Sequence, residues 1–132
     1  MPNMTGNPPI GAPTALNHVH LTAEDPEREL RFLQDVLGFR KDASHPGFVW
    51  LGIMAVAVTK GEAIRSERFH LGFRMDSPAA VDSLRALLAK HEISTTELVA
   101  TGSYYSCSFQ SPGGYWFEVY ADGGIPALGT ID

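Results

Sequence analysis

The fold is decided by a stretch of sequence that occurs in two versions, LNHVHLTAEDP at residues 16–26 and RFHLGFRMDSP at residues 68–78. Each version has a histidine eight residues before a proline: His18 precedes Pro26, and His70 precedes Pro78. In both, a segment with the pattern of a β-strand leads to a residue suited to cap a helix, and the proline suits the first helical position. Two copies of one unit explain this register better than chance.

Three further strands are predicted after each helix. The first helix lies within EDPERELRFLQDVLG and is followed by the strand-like segments FRKDAS, GFVWLG and MAVAVTK. The second lies within SPAAVDSLRALLAKH and is followed by ISTTELV, SYYSCSFQ and YWFEVYA. Each half is therefore predicted as β-α-β-β-β. Because a solenoid needs three or more repeats to bury a continuous core, two copies of about 50 residues favour a domain of paired modules.

The 132 residues suit one such domain, which we predict over residues 15–122. Module one spans about 15–60 and module two about 66–121. Residues 1–14 contain four prolines and little that is apolar, so a flexible N-terminal tail is expected there. Residues 123–132 are expected to form a C-terminal tail.

Charge and hydropathy exclude several classes of partner. Ten Lys and Arg against fifteen Asp and Glu give a formal charge of −5, and no basic stripe could follow a nucleic acid backbone. No apolar run approaches the ~20 residues that span a bilayer, and the N-terminus lacks the pattern of a signal peptide. We therefore expect a cytoplasmic protein without nucleic acid or membrane partners. Cys107, the one cysteine, is expected to be a small core residue.

Three side chains that can ligate a metal fall on equivalent predicted strands. Alternation separates His70 from an apolar face made by Phe69, Leu71 and Phe73. The repeat places His18 at the equivalent position in module one. Glu118 lies in an aromatic strand, where a carboxylate costs free energy unless it is partnered or bound to a metal. Two imidazoles and one carboxylate form a candidate facial triad. The alternative is a degenerate site in a binding protein.

These segments resemble the vicinal oxygen chelate superfamily, which includes glyoxalase I, fosfomycin-resistance transferases, bleomycin-resistance proteins and extradiol dioxygenases. The resemblance rests on LNHVHLTAEDPERELRFLQDVLGFRK, FHLGFRMDSPAAVDSLRALLAKHEI and SFQSPGGYWFEVY. It implies an α+β fold of two βαβββ modules that form incomplete barrels. It also implies that His18, His70 and Glu118 bind one divalent metal ion per site, which could be Fe(II), Mn, Zn or Ni.

This chain differs from individual members of the superfamily at residues that their activities use, and these differences limit the activities that the resemblance implies. Glyoxalase I has a glutamate as fourth ligand where this chain has Ala57. Fosfomycin transferases have a threonine in place of His20, and an arginine after the last strand that is absent here. Extradiol dioxygenases share the three ligands, but their tyrosine ten residues before the glutamate is Ser108 in this chain. The preserved ligands argue against a metal-free protein of bleomycin-resistance type.

His20 is predicted to be catalytic, because it shares a strand face with His18 about 6.6 Å away, at ~3.3 Å per residue. An imidazole there can move protons at neutral pH. The alternative is a histidine that lines the pocket without chemistry. Four residues are predicted to contact the substrate: Tyr104, Ser108, Arg74 and Trp116. Tyr104 could instead have only a packing role, and Arg74 could form a surface salt bridge. Trp116 could be part of the cavity wall or of the core.

The sequence thus favours a metal-dependent enzyme acting on a small oxygen-chelating molecule. Dioxygenase chemistry is somewhat favoured over isomerase, lyase or conjugating-transferase chemistry on the same metal site. The alternative from another class is a metal-free protein that sequesters a drug or metabolite. The resemblance further implies a homodimer with shared sites, in which module one of one protomer faces module two of its partner.

Overall fold

Each half of the chain forms the predicted β-α-β-β-β module in the computed structural model, which describes residues 11–123. Module one comprises β1 (His18–Ala23), α1 (Pro26–Asp35), β2 (Arg40–Lys41), β3 (Phe48–Leu51) and β4 (Met54–Lys60). Module two comprises β5 (His70–Arg74), α2 (Pro78–Lys90), β6 (Val99–Thr101), β7 (Tyr104–Gln110) and β8 (Trp116–Ala121). Most of the two predicted tails, residues 1–10 and 124–132, lies outside the described residues.

The two modules have the same sheet topology. The strand order is β1-β4-β3-β2 in module one and β5-β8-β7-β6 in module two. In each sheet the first and last strands of the module pair in parallel, and the other neighbours are antiparallel. Both sheets remain open, with β1 and β5 as edge strands. This arrangement confirms the predicted α+β fold of two βαβββ modules.

The helices begin where the sequence predicts. The Asp25 carboxylate accepts a hydrogen bond from the backbone N–H of Arg28 at 3.1 Å, and the Ser77 hydroxyl accepts one from the N–H of Ala80 at 3.1 Å. These caps satisfy donors that have no partner within the helix. Pro26 and Pro78 occupy the first helical positions. Neither helix is long and apolar enough to cross a membrane, within the part of the chain that the structure describes.

The predicted strand ISTTELV, residues 93–99, is wrong in extent. Only Val99 belongs to β6, and Thr95 makes a single bridge to Phe109 of β7. At the next position the Thr96 N–H donates to the Ser108 carbonyl at 2.8 Å, but the Ser108 N–H donates to the Thr96 hydroxyl at 2.9 Å. A side-chain hydroxyl here takes the place of a backbone carbonyl, so the ladder is interrupted.

Aromatic side chains join the two modules in one core. Phe32 of α1 packs against Phe109 and Phe117 of module two, with ring centroids 6.1 and 6.4 Å apart. Phe39 meets Phe73 edge-on at 6.0 Å. The apolar residues of β7 and β8 therefore face α1 as well as α2, which leaves the opposite face of this sheet open. Cys107 is buried in the same core, as predicted.

A buried carboxylate adds a polar contact between the modules. Glu29, on the inner side of α1, accepts hydrogen bonds from the Ser111 hydroxyl and, at 2.7 Å, from the Gly113 N–H. The Tyr115 hydroxyl donates to the Thr22 carbonyl at 2.8 Å and accepts from the Thr22 N–H at 3.0 Å. Module one thereby holds both ends of the turn between β7 and β8. Burial raises the pKa of Glu29 above its ordinary value, and the hydrogen bonds only partly oppose this.

We expect Glu29→Gln to flatten the pH dependence of stability. The raised pKa means that the folded protein binds the Glu29 proton more tightly than the unfolded chain does. The free energy of unfolding should therefore fall as the pH rises from about 4.5, the ordinary value, through the raised pKa. Urea denaturation at a series of pH values measures this slope.

Glu27→Gln is the matched control, because Glu27 is an exposed carboxylate on the same helix. This control variant should show the same dependence of the free energy of unfolding on pH as the wild-type protein. Identical slopes for wild type and Glu29→Gln would contradict a buried Glu29 that resists ionisation.

Candidate metal site

The structure brings two of the three predicted metal ligands together on the open face of the second sheet. Because β5 pairs in parallel with β8, Gly72 lies opposite Glu118 and His70 is one diagonal away. The distance from His70 Nε2 to Glu118 Oε1 is 4.0 Å, and both side chains reach solvent. Two ligand atoms that each lie about 2.1 Å from one ion are about 3.0–3.4 Å apart at octahedral or tetrahedral angles, so His70 and Glu118 would share an ion after a closer approach of roughly 0.6–1 Å.

A cavity of about 240 Å³ opens at this pair, and it is lined by Glu67, His70, Thr96, Ser108, Trp116 and Glu118. Ser108 lies directly opposite Glu118 in the β7–β8 ladder, and Gln110 lies opposite Trp116. Two predicted substrate contacts, Ser108 and Trp116, are thus at the candidate metal site. Their contact with a substrate stays a prediction.

Sequence reasoning missed Thr96 and Glu67 as lining residues. Thr96 was expected within a strand; the side-chain hydroxyls of the STT run, which compete with backbone pairing, were the signal available. Glu67 lies three residues before His70 in a segment that has no periodic pattern. A second cavity of about 570 Å³ also includes Thr96, Ser108 and Trp116 in its lining and extends to Arg28.

Tyr104 contacts the candidate ligand directly. Its hydroxyl donates a hydrogen bond to Glu118 Oε2 at 2.7 Å, and its ring stacks on Tyr120 with centroids 5.6 Å apart. Partial burial, together with the bond to Glu118, raises the pKa of Tyr104 to about 12. The hydroxyl therefore stays protonated and acts as a donor at neutral pH. In the structure this hydroxyl is hydrogen-bonded to Glu118, and Tyr104 is not among the residues that line the cavity.

His18 lies on the other module. Its Nδ1 is 3.1 Å from the side-chain oxygen of Asn17, and it lines a largely apolar cavity of about 420 Å³ together with Val19, Phe39 and Leu71. Among residues 11–123, no three His, Cys, Asp or Glu side chains are grouped so as to hold a metal ion. One chain by itself thus assembles His70 and Glu118 without His18.

His20 is exposed on the same strand, two residues from His18. Its Nε2 lies 2.6 Å from the hydroxyl of Thr59 on β4, and its Cα partner in the ladder is Ala57. In the repeat, His20 corresponds to Gly72, so Ala57 corresponds to Glu118. Module one therefore has histidines on its sheet but no carboxylate at the position that Glu118 occupies in module two.

Arg74 forms a salt bridge with the buried carboxylate of Asp122. Its Nε and one terminal nitrogen donate to the same oxygen of Asp122, at 3.2 and 3.0 Å. Asp122 is almost inaccessible to solvent, so this pair holds the chain just after β8 against β5. Arg74 also lines the apolar cavity next to His18 rather than the cavity at Glu118.

Comparison with known proteins places the chain in a family. Residues 15–119 match the family model of the Glyoxalase/Bleomycin resistance protein/Dioxygenase superfamily. The chain therefore belongs to this superfamily, as the sequence resemblance implied. A search of curated proteins gives no match.

Solved structures share the fold over most of their length. Fosfomycin resistance protein FosX from Mesorhizobium loti is 26% identical, with 89% of this chain and 99% of that chain covered and a TM-score of 0.72. Lactoylglutathione lyase from Agrobacterium tumefaciens is 21% identical, with 86% and 98% covered and a TM-score of 0.68. FosX from Listeria monocytogenes, complexed with Mn(II) and sulfate, is 16% identical, with 86% and 94% covered and a TM-score of 0.73.

Proposed function

We propose that this protein is a divalent-metal-dependent enzyme acting on a small oxygen-chelating substrate. The observation that carries the proposal is the 4.0 Å separation of His70 Nε2 and Glu118 Oε1 in an accessible cavity. Imidazole nitrogen and carboxylate oxygen form a donor set that suits Mn, Fe(II), Zn or Ni. A protein of the same fold, FosX from Listeria monocytogenes, is complexed with Mn(II).

The third ligand in this proposal is His18 of a second copy of the chain. A single chain presents His70 and Glu118 on one open sheet and His18 on the other, and within residues 11–123 both β1 and β5 have an unpaired edge. A homodimer in which module one of one protomer faces module two of its partner would complete two equivalent sites. Each site would then combine side chains from both protomers.

Within such a site the residues of this chain have distinct roles. His70 and Glu118, with His18 of the second copy, would hold a divalent ion, which would supply Lewis acidity to an oxygen of the substrate. Trp116 and Ser108 line the space next to Glu118 and orient the substrate. The Thr59 hydroxyl fixes Nε2 of His20, which leaves Nδ1 free to accept or donate a proton. His20 is thereby the general acid–base group.

We favour dioxygenase chemistry within this proposal. Because Ala57 provides no ligand, three protein ligands would leave positions open for both a chelating substrate and dioxygen. Ser108 cannot replace a catalytic tyrosine, so proton transfer would fall to His20. Isomerase, lyase or conjugating-transferase chemistry on the same metal is the alternative.

A second candidate, metal-free sequestration of a drug or metabolite, is favoured by the apolar cavity beside His18. This cavity has about 420 Å³ of space and is lined by Leu16, Val19, Phe39 and Met54 among others. Such a cavity could hold an apolar molecule without turnover.

The metal content of anaerobically purified protein separates these candidates. Elemental analysis should find about one Fe, Mn, Zn or Ni per chain, because each proposed site has one facial triad. A variant with both His70→Ala and Glu118→Ala should lose the metal. Glu67→Gln, which alters another carboxylate of the same cavity, should retain it. Absence of metal in the wild type, even after reconstitution, would leave sequestration as the function.

Shared sites predict a specific pattern of complementation. Neither the His18→Ala homodimer nor the Glu118→Ala homodimer should retain an intact ligand triad. In a mixed dimer of the two variants, one site receives both substitutions and the other receives neither. Differently tagged chains, co-expressed and purified as the mixed dimer, should therefore regain metal at about half the wild-type level. No recovery in a verified mixed dimer, or a monomeric wild type by light scattering, would contradict shared sites.

His20→Gln should leave metal content unchanged and slow turnover by about 100- to 10,000-fold, the usual contribution of a general acid–base group. Oxygen consumption with a panel of catechols, measured on metal-loaded protein, gives the rate if the chemistry is oxidative. Loss of metal from His20→Gln would make His20 a ligand and remove its assigned role. An unchanged rate would make it a residue that only lines the pocket.

A further inference from the structure

We propose that Tyr104 is a positioning residue that holds Oε2 of the Glu118 carboxylate, so that Oε1 is the oxygen turned toward His70 and available to a metal ion. The inference rests on the proposed metal site. It adds a role for a side chain that the sequence had suggested only as a substrate contact or as packing.

The two oxygens of Glu118 have different surroundings. Oε2 accepts the hydrogen bond from the Tyr104 hydroxyl at 2.7 Å, which lies in the normal range for O–H···O bonds. Oε1 is the oxygen that faces His70, 4.0 Å from its Nε2. Rotation of the carboxylate about its terminal bond would break the tyrosine hydrogen bond. Tyr104 thus selects one of two otherwise equivalent oxygens.

The tyrosine is itself held in place by its neighbours. Its ring stacks almost parallel on Tyr120, with an interplanar angle of 20°. Tyr120 shares a strand face with Glu118, and its ring edge lies over Gly72: a Cβ added there would be 3.5 Å from Tyr120 Cε1. Gly72 is the residue opposite Glu118 in the parallel ladder. Tyr104, Tyr120 and Gly72 therefore form one packed support beside the candidate ligand.

This support has a chemical consequence for the ligand. A carboxylate with two free oxygens can bind a cation through either or both of them. A carboxylate with Oε2 engaged by a neutral hydroxyl offers a single oxygen in a fixed orientation. Groups that hold metal ligands in this way typically contribute 10- to 100-fold to metal affinity.

The adjacent residue provides a matched control. Tyr105 lies on the opposite face of β7, where its hydroxyl donates to Asp82 of α2 at 2.6 Å. Both tyrosines thus donate a hydrogen bond of similar length to a carboxylate, but only Tyr104 contacts a proposed ligand. Replacement of either by phenylalanine removes one hydroxyl and keeps the ring.

The experiment is titration of metal-free protein with Mn(II), followed by electron paramagnetic resonance of the free ion and by calorimetry. We expect Tyr104→Phe to weaken Mn(II) binding by about 10- to 100-fold. Tyr105→Phe should bind as the wild type does, and Glu118→Gln should lose specific binding. Thermal unfolding of each metal-free variant checks that Tyr104→Phe remains folded, so that the lost affinity is not lost structure.

The outcomes distinguish this inference from the proposed function. If the wild type binds Mn(II), Glu118→Gln does not, and Tyr104→Phe matches the wild type, the positioning role is overturned while the metal site stands. Equal weakening by Tyr104→Phe and Tyr105→Phe would also overturn it, because the effect would not depend on contact with Glu118. If the wild type and Glu118→Gln bind Mn(II) equally weakly, the metal site itself fails, and the role of Tyr104 fails with it.

Discussion

The candidate site depends on the parallel pairing of β5 with β8. This ladder joins the first and last strands of module two and sets Gly72 opposite Glu118, so His70 and Glu118 come onto one face from positions 48 residues apart. Parallel strands cannot be joined by a short hairpin, and here α2, β6 and β7 make the connection. The chemistry of the site is therefore non-local: it exists only when the whole module is folded.

The register of β8 is fixed from outside module two. Ser111 and Gly113, in the turn before β8, donate hydrogen bonds to Glu29 of α1, and Tyr115 is hydrogen-bonded to Thr22 of β1. A slip of one residue in β8 would turn Glu118 into the aromatic core. Burial of the Glu29 carboxylate costs free energy, which its hydrogen bonds to the turn partly offset. Module one thus supports the site in module two of the same chain.

Local and periodic features were predictable from the sequence, and long-range polar contacts were not. The caps at Asp25 and Ser77 depend on residues within one turn, and the shared face of His70 and Glu118 follows from alternation combined with the repeat. Glu29 is a carboxylate among the buried residues of α1, which are otherwise Leu30, Phe32 and Leu33, yet nothing near it in sequence indicates its partners. The bonds of Tyr104 to Glu118 and of Arg74 to Asp122 join positions 14 and 48 residues apart. Such pairs have no periodicity that a single sequence could reveal.

The two modules share a backbone but differ in the chemistry of equivalent positions. His18 corresponds to His70, but the carboxylate position of module two is Ala57 in module one, and the glycine that accommodates Tyr120 is His20. Neither sheet alone carries two histidines together with a carboxylate at these positions. Module one offers two imidazoles, His18 and His20, without a carboxylate at the equivalent position, and module two offers His70 beside Glu118, whose carboxylate accepts a hydrogen bond from Tyr104. A site that needs both sheets must bring unlike modules face to face, and within one chain the helices and the shared aromatic core already occupy the faces that pack together. In the proposed homodimer the open faces would meet a second copy, and His18 of that copy would complete the candidate ligand set that one chain holds only in part.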